Sequence, residues 1–238
     1  MQRSSGILMP VFSLPSPYGI GTLGQAARTF VDFLKAAGQT WWQILPVGPT
    51  GYGDSPYQSF SAYAGNPYLI DLDLLREDGL LTQAEIDGAF WGADPARVDY
   101  GALYQNRLAV LSIACRRGWE RDAEAVARFS AGNRNWLPDY ALFMALKQHF
   151  GGKPWMRWPE DIRLRRREAV EQYRKALSED VALFTYLQFL FFRQWDALRA
   201  YAVEQGVRII GDLPIYVAMD SADVWAEPEN FQLDAQLT

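Results

Sequence analysis

Residues 6–47 read as strand, helix, strand, and that order limits the fold more than any other feature of the chain. Ile7–Phe12 is a short apolar run. Gln25–Ala37 carries Ala26, Ala27, Phe30, Val31, Leu34 and Ala37 at helical spacing, with Gly38 behind it as a stop. Trp41–Val47 is a second apolar run, closed by Pro46 and Pro49. Two strands joined through a helix pair in parallel, and parallel sheets carry helices on their faces, so the fold class is α/β. A third apolar run, Val207–Val217, follows a long helical stretch, Ser178–Gln205, which Ser178 caps and Gly206 ends. A (β/α)8 barrel needs eight strands and about 250 residues without insertions. With three strands in 238 residues, this chain holds less than half of such a barrel. An open sheet of that kind leaves an edge and apolar faces uncovered.

Between the second and third strands the pattern changes twice. Gly48–Asn66 is rich in Gly, Pro, Ser and Tyr and lacks apolar periodicity, the mark of a long functional loop. Residues 67–177 read as helical. Thr82-Gln-Ala-Glu85 is a capping box, Tyr104, Leu108, Leu111 and Cys115 fall on one helical stripe, and Asp139–Phe150 is a second amphipathic stretch. The expected organisation is therefore 1–66, the first βαβ with the loop; 67–177, a helical insertion; and 178–238, a helix, the third strand and its following loop. The last residues, Asn230–Thr238, carry neither a helix stop nor a tail composition and read as cut rather than finished.

Composition excludes several functions. Lys plus Arg is 23 and Asp plus Glu is 28, a net charge of −5, which does not suit a nucleic-acid backbone. One Cys makes no internal disulfide and fits a reducing compartment. One His makes a His-rich metal site impossible. No secretory signal is evident, and no run approaches the ~20 apolar residues of a membrane helix, so a soluble, cytoplasmic protein is expected.

Three motifs have simple structural explanations. Gly19-Ile-Gly21-Thr-Leu-Gly24 spells the dinucleotide-binding pattern, but Ser13–Pro17 separates it from the strand, and Ile44 and Val47 stand where the ribose-binding acid belongs. These glycines are expected to shape a loop. Arg163, Arg165, Arg166 and Arg167, flanked by Glu160, Asp161, Glu168 and Glu171, read as a solvated helix face. His149 ends a helix, where its charge suits the dipole.

Two segments point to chemistry. Gly51–Ser61 follows a strand, on the side of an α/β sheet where ligands bind. Tyr52, Tyr57 and Phe60 offer flat apolar faces, while Asp54, Ser55, Gln58 and Ser59 offer hydrogen bonds. Sugars need both, because a pyranose presents a C–H face and a rim of hydroxyls. Asp212, in Gly211-Asp-Leu-Pro-Ile-Tyr216, is a carboxylate at the C-terminal tip of the third strand, expected to be buried.

At these segments the chain resembles the 4-α-glucanotransferases, the amylomaltases or disproportionating enzymes of glycoside hydrolase family 77. The likeness runs through Ser5-Gly-Ile-Leu8, Pro17-Tyr-Gly-Ile-Gly21, Phe30-Val-Asp-Phe-Leu34 and Trp42-Gln-Ile-Leu-Pro46. It continues through Gly48–Ser61, Gly211–Val217 and Asp220–Trp225. The resemblance implies a (β/α)8 barrel with helical insertions, incomplete here. It implies transfer of an α-1,4-glucan segment to the 4-hydroxyl of another glucan or glucose, with retention, through a carboxylate nucleophile and a carboxyl acid/base. No cofactor or metal is implied, and the partners are α-1,4-glucans and maltooligosaccharides, not nucleic acid or membrane. By the same likeness Tyr57 packs on the donor glucan, Asp212 hydrogen-bonds donor sugar, and Ser55 and Asp54 line that site. Tyr52, with Tyr100 or Tyr104, resembles a secondary glucan patch. The family's nucleophile Asp, acid/base Glu and stabilising Asp follow later strands and are expected beyond Thr238. A non-catalytic glucan-binding fragment and a retaining α-glucan hydrolase are the rival readings.

Overall fold

The structure is a computed structural model and describes residues 3–51 and 53–234. In chain order the elements are β1 (Gly6–Leu8), α1 (Gln25–Ala36), β2 (Trp41–Gln43), α2 (Leu72–Glu77), α3 (Gln83–Asp87), α4 (Tyr100–Arg121) and α5 (Ala123–Gly132). There follow α6 (Leu137–His149), α7 (Glu160–Arg163), α8 (Arg167–Ala176), α9 (Ser178–Glu204), β3 (Arg208–Ile210) and α10 (Ala222–Ala226). The helix that ends at Glu204 is followed by Gly206 at φ +78°, the left-handed stop its position suggests. It begins at Ser178 itself. No helix among the described residues is long and apolar enough to cross a membrane.

The chain divides into two compact units. One contains Met1–Val47, Gly65–Arg121 and Phe189–Leu213; the other contains Gly48–Ala64, Asp122–Gln188 and Pro214–Thr238.

The first unit holds a three-stranded parallel sheet in the order β1-β2-β3. Gly6 stands opposite Trp41, and Trp41 opposite Arg208, so β2 is central and the other two are edges. Trp42 is wholly buried under α1, edge-on to Phe30 at 5.1 Å, and its indole N–H donates to the Met9 carbonyl at 2.7 Å. Ala27, Val31 and Leu34 form the buried face of α1, as its spacing predicts; of the rest of the expected stripe Ala26 and Phe30 are half-buried, while Ala37, just past the helix end, is exposed.

The strands are much shorter than the apolar runs that announce them. After Pro10 the first run turns into a 3-10 segment, Val11–Ser13. The second run meets Pro46, which has no N–H to donate to a ladder. The third strand, expected through Val217, stops at Ile210, and it is not buried. Arg208 and Ile210 are exposed, and Ile215 and Tyr216 are each 88% exposed. Among the described residues β3 has a strand neighbour on one side only, which leaves its other side uncovered.

In α4 the expected stripe holds for Leu111 and Cys115, which are buried, but its first half is one residue out of phase. The buried face runs through Leu103, Arg107, Val110, Leu111, Ala114 and Cys115, while Leu108 is half-buried and Tyr104 half exposed. Arg107 has no exposed surface. Its Nη2 donates to the carbonyls of Tyr68 (2.8 Å) and Ile70, and its guanidinium lies 5.4 Å from the Trp91 ring. Burial pulls its pKa down to about 10, against the pull of nearby Asp71, so it stays charged at neutral pH. The capping box of α3 is formed as expected: Thr82 N–H donates to Glu85 Oε2 (2.9 Å) and Glu85 N–H to Thr82 Oγ1 (3.4 Å).

The second unit packs around tryptophans. Trp155 and Trp225 are buried, and Phe143 meets both Trp158 (5.4 Å) and Trp225 (5.9 Å). The Trp155 and Trp225 indole N–H groups donate to the Met219 and Ile162 carbonyls respectively, so each ring is buried with its polar edge satisfied. Lys147, largely buried, pairs with Asp220 at 2.7 Å and donates to the Gly152 and Lys153 carbonyls. The arginine cluster is not one solvated face. It straddles the turn between α7 and α8, and Arg165, at φ +51°, folds back over the Trp225 ring (4.3 Å) to pair with Asp139 (2.8 Å). Arg166 and Arg167 do stay in solvent, paired with Glu160 and Glu171.

Candidate functional site

The loop that follows β2 is an ordered hairpin in the second unit. Thr50 and Ser59 form an antiparallel bridge, and Gly51 N–H donates to the Gln58 carbonyl at 2.7 Å. Buried Ser59 ties the base: its hydroxyl reaches the Pro49 carbonyl (3.0 Å) and the Ser61 carbonyl (2.7 Å). At the tip the chain reverses through Gly53 (φ +85°) and Asp54 (φ +57°), the latter a conformation Asp tolerates better than most residues. Tyr57 N–H donates to Ser55 Oγ (3.3 Å), and Gln58 N–H to the Ser55 carbonyl (3.0 Å).

This folding brings Asp54, Ser55 and Tyr57 to one end of the hairpin. The Tyr57 ring is 46% exposed, while Asp54 and Ser55 are half-buried. Burial raises the Asp54 carboxyl above its ordinary range. An aromatic face beside a hydroxyl and a carboxyl is the mixture that a pyranose ring uses. Phe60 does not belong to that surface, contrary to the sequence reading. It turns inward, 6.2 Å from the Phe143 ring, with Lys147 Nζ 4.9 Å from its own ring centre.

Asp212 belongs to the first unit. It is half-buried and lies two residues past the end of β3, rather than at the tip of a buried strand. The short strand accounts for the difference. Tyr100 and Tyr104, also in the first unit, sit one turn apart at the start of α4 with ring centres 6.2 Å apart. Tyr68 joins them, 6.0 Å from Tyr104, a third member the sequence reading did not name; its Asn66-Pro-Tyr turn was the available signal. Tyr52 lies outside the described residues.

The glycine motif shapes a loop, as its spacing suggested. A Cβ on Gly21 would lie 2.1 Å from the Val11 carbonyl oxygen, and one on Gly24 would lie 2.0 Å from Asp71 Oδ2. A buried carboxylate thus stands against Gly24, the N-cap of α1, and a helix N-terminus is where a dinucleotide fold would bring a pyrophosphate; two anions do not share that position. His149 is exposed at the end of α6, edge-on to Phe150 and Tyr173.

The second unit also carries an aromatic pair that sequence reasoning missed. Tyr63, 57% exposed, stacks on buried Trp136 at 6.2 Å with an angle of 17° between the rings. An exposed Tyr just past a Ser-rich hairpin was the only sequence signal.

Comparison with known proteins agrees with the sequence likeness. The profile of the 4-alpha-glucanotransferase family, glycoside hydrolase family 77, matches residues 9–237. The chain is 52% identical to the 4-alpha-glucanotransferase of Thermus thermophilus, over 99% of this chain and 47% of that protein. It is 47% identical to the one from Clostridium butyricum, over 96% and 47%. Among solved structures, amylomaltase from Streptococcus agalactiae in complex with acarbose superposes with a TM-score of 0.96 at 44% identity, covering 99% of this chain and 48% of that one. The chain spans about half the length of the curated relatives it matches. With a family match over nearly its whole length, and a three-stranded parallel α/β fold that follows an amylomaltase closely, the chain belongs to the 4-alpha-glucanotransferase family.

Proposed function

We propose that the complete protein is a 4-α-glucanotransferase. It passes a segment of an α-1,4-glucan or maltooligosaccharide to the 4-hydroxyl of an acceptor glucan or of glucose. The observation that carries this reading is the 52% identity to the Thermus thermophilus enzyme across 99% of the chain. The exposed Tyr57 ring beside Ser55 and Asp54 supports it chemically.

In this reading the three strands belong to a (β/α)8 barrel, residues 67–177 are its helical insertion, and residues 178–238 return the chain to the barrel. Tyr57 stacks on a donor glucosyl ring, Asp212 accepts hydrogen bonds from donor hydroxyls, and Ser55 and Asp54 complete those contacts. Tyr52 with Tyr100 or Tyr104 forms a secondary glucan patch. The nucleophile Asp, the acid/base Glu and the stabilising Asp lie outside these 238 residues. Together they run two displacements that retain the anomeric configuration. Sugar rather than water takes the glycosyl group, because bound acceptor occupies the place of attack. The reaction needs no cofactor, and a single buried thiol, Cys115, suits the cytoplasm.

Kinetics of the enzyme expressed from the full coding frame test the assignment. Tyr57→Ala and Asp212→Asn are each expected to lower kcat/KM on maltotriose by about 10–100-fold, the loss of about 1.4–2.7 kcal/mol of transition-state binding. Values within twofold of the parent for both variants contradict the assigned roles.

A further inference from the structure

The second unit contains a cavity of about 280 Å³ that none of the residues assigned above to donor or secondary glucan binding lines. Tyr63 and Trp136 form one wall, Phe231 belongs to the lining, and Asn135, Glu227 and Asn230 supply polar atoms. We propose that this cavity is a further carbohydrate subsite that takes one terminal glucosyl unit of an α-glucan, with Tyr63 as its stacking face and the Glu227–Asn230 pair as its hydrogen-bonding edge. The proposal rests on the reading that the protein handles glucans.

Four observations support it. The volume lies near the lower end of small-molecule sites, suiting one or two sugar rings rather than a large cofactor. Tyr63 is fixed in orientation by its stack on Trp136, yet remains 57% exposed, so it presents a rigid flat surface to solvent. Asn230 Nδ2 donates to Glu227 Oε2 at 2.8 Å, which holds an amide and a carboxylate side by side, the donor–acceptor pairing that vicinal hydroxyls match. The lining includes no Lys or Arg, and this disfavours phosphates and other anions.

The other acids of the lining already have structural work. Asp223 accepts the Ala62 N–H (2.8 Å) and holds the end of the hairpin, and Asp139 is paired with Arg165. Among the described residues no group of three or more His, Cys, Asp or Glu side chains is placed to hold a metal ion. A neutral polyhydroxy ligand fits the chemistry that remains.

The test is maltotriose titration of the 238-residue chain, read by tryptophan fluorescence and by calorimetry, with far-UV circular dichroism as the folding check. Tyr63→Ala is expected to weaken binding about tenfold, and Tyr63→Phe, which keeps the stacking face, to stay within about twofold. Asn230→Ala, at an exposed position, is expected to weaken binding about threefold to tenfold and gives the answer should Tyr63→Ala fail to fold. Absence of saturable binding by the folded parent chain, or affinities within twofold of it for both Tyr63→Ala and Asn230→Ala, overturns the proposal. Failure of the transferase reading shows elsewhere, as lack of maltotriose turnover by the full-frame enzyme. Tyr63-dependent binding by this chain does not depend on that turnover.

Discussion

Replacing Gly24 by Ala is expected to destabilise the first unit through one specific clash. The added methyl would lie 2.0 Å from Asp71 Oδ2 and 2.2 Å from its Cγ. The Asp71 side chain has no free rotamer to retreat to without cost. It accepts Thr22 Oγ1 at 2.5 Å and caps α2 through Leu74 N–H at 2.9 Å. Its backbone is clamped at the same time, since Asp71 N–H donates to Gln194 Oε1 (2.7 Å) and Gln194 Nε2 donates to the Asp71 carbonyl (3.1 Å). Displacing the carboxylate forfeits a helix cap, about 1 kcal/mol, and a buried hydrogen bond to a charged group, about 1.5–3 kcal/mol. The poorer N-cap that Ala makes on α1 and the entropy it removes from the unfolded chain are each about 0.5–1 kcal/mol and oppose one another. The expected loss is therefore about 2–4 kcal/mol in urea unfolding followed by circular dichroism. A double-mutant cycle isolates the cause. In an Asp71→Ala background the Gly24→Ala penalty should fall below about 0.5 kcal/mol, because the atom it strikes is gone. Penalties that simply add would refute the steric account of the motif.

Other consequences concern buried and titrating charge. Arg107→Ala removes the donor to the Tyr68 and Ile70 carbonyls and opens a void, and should cost about 2–5 kcal/mol, read as a drop in the urea midpoint at unchanged m-value. The bridge from Arg117 and the cap hydrogen bond from Thr82 hold Glu85 at about 2, below its usual 4.5. A depressed carboxylate pKa contributes stability above the ordinary value that is lost as pH falls through the lower one. Glu85→Gln should thus flatten the decline in stability between pH 4.5 and about 2, and an unchanged slope would contradict the assignment.

The parts of this fold legible in the sequence are those written in local pattern. The stripe of α1, the capping box of Thr82 and Glu85 and the stop at Gly206 each follow from spacings within a few residues, and the structure has all three. What failed to read out was long-range. Arg107 is an ordinary surface residue by composition, and only the convergence of two loop carbonyls on its guanidinium makes it a core residue. Phe60 reads as one more aromatic of the hairpin until Lys147 and Phe143, far along the chain, draw it inward. The apolar Val207–Val217 run resembles a buried strand, yet its pairing ends at Ile210, and partners rather than hydrophobicity determine strand length. At the candidate site the Gly48–Ser61 string was conspicuous, whereas the Tyr63–Trp136 stack joins residues that no sequence period connects.

The most direct test of the central claim is a product balance on maltotriose for the enzyme expressed from the full coding frame. The account predicts glucose together with longer maltooligosaccharides and no net gain of reducing ends, while the 238-residue chain alone yields neither product. A steady rise in reducing ends would make the protein a hydrolase, and longer maltooligosaccharides formed by the 238-residue chain alone would contradict the proposal that the catalytic carboxylates lie outside it.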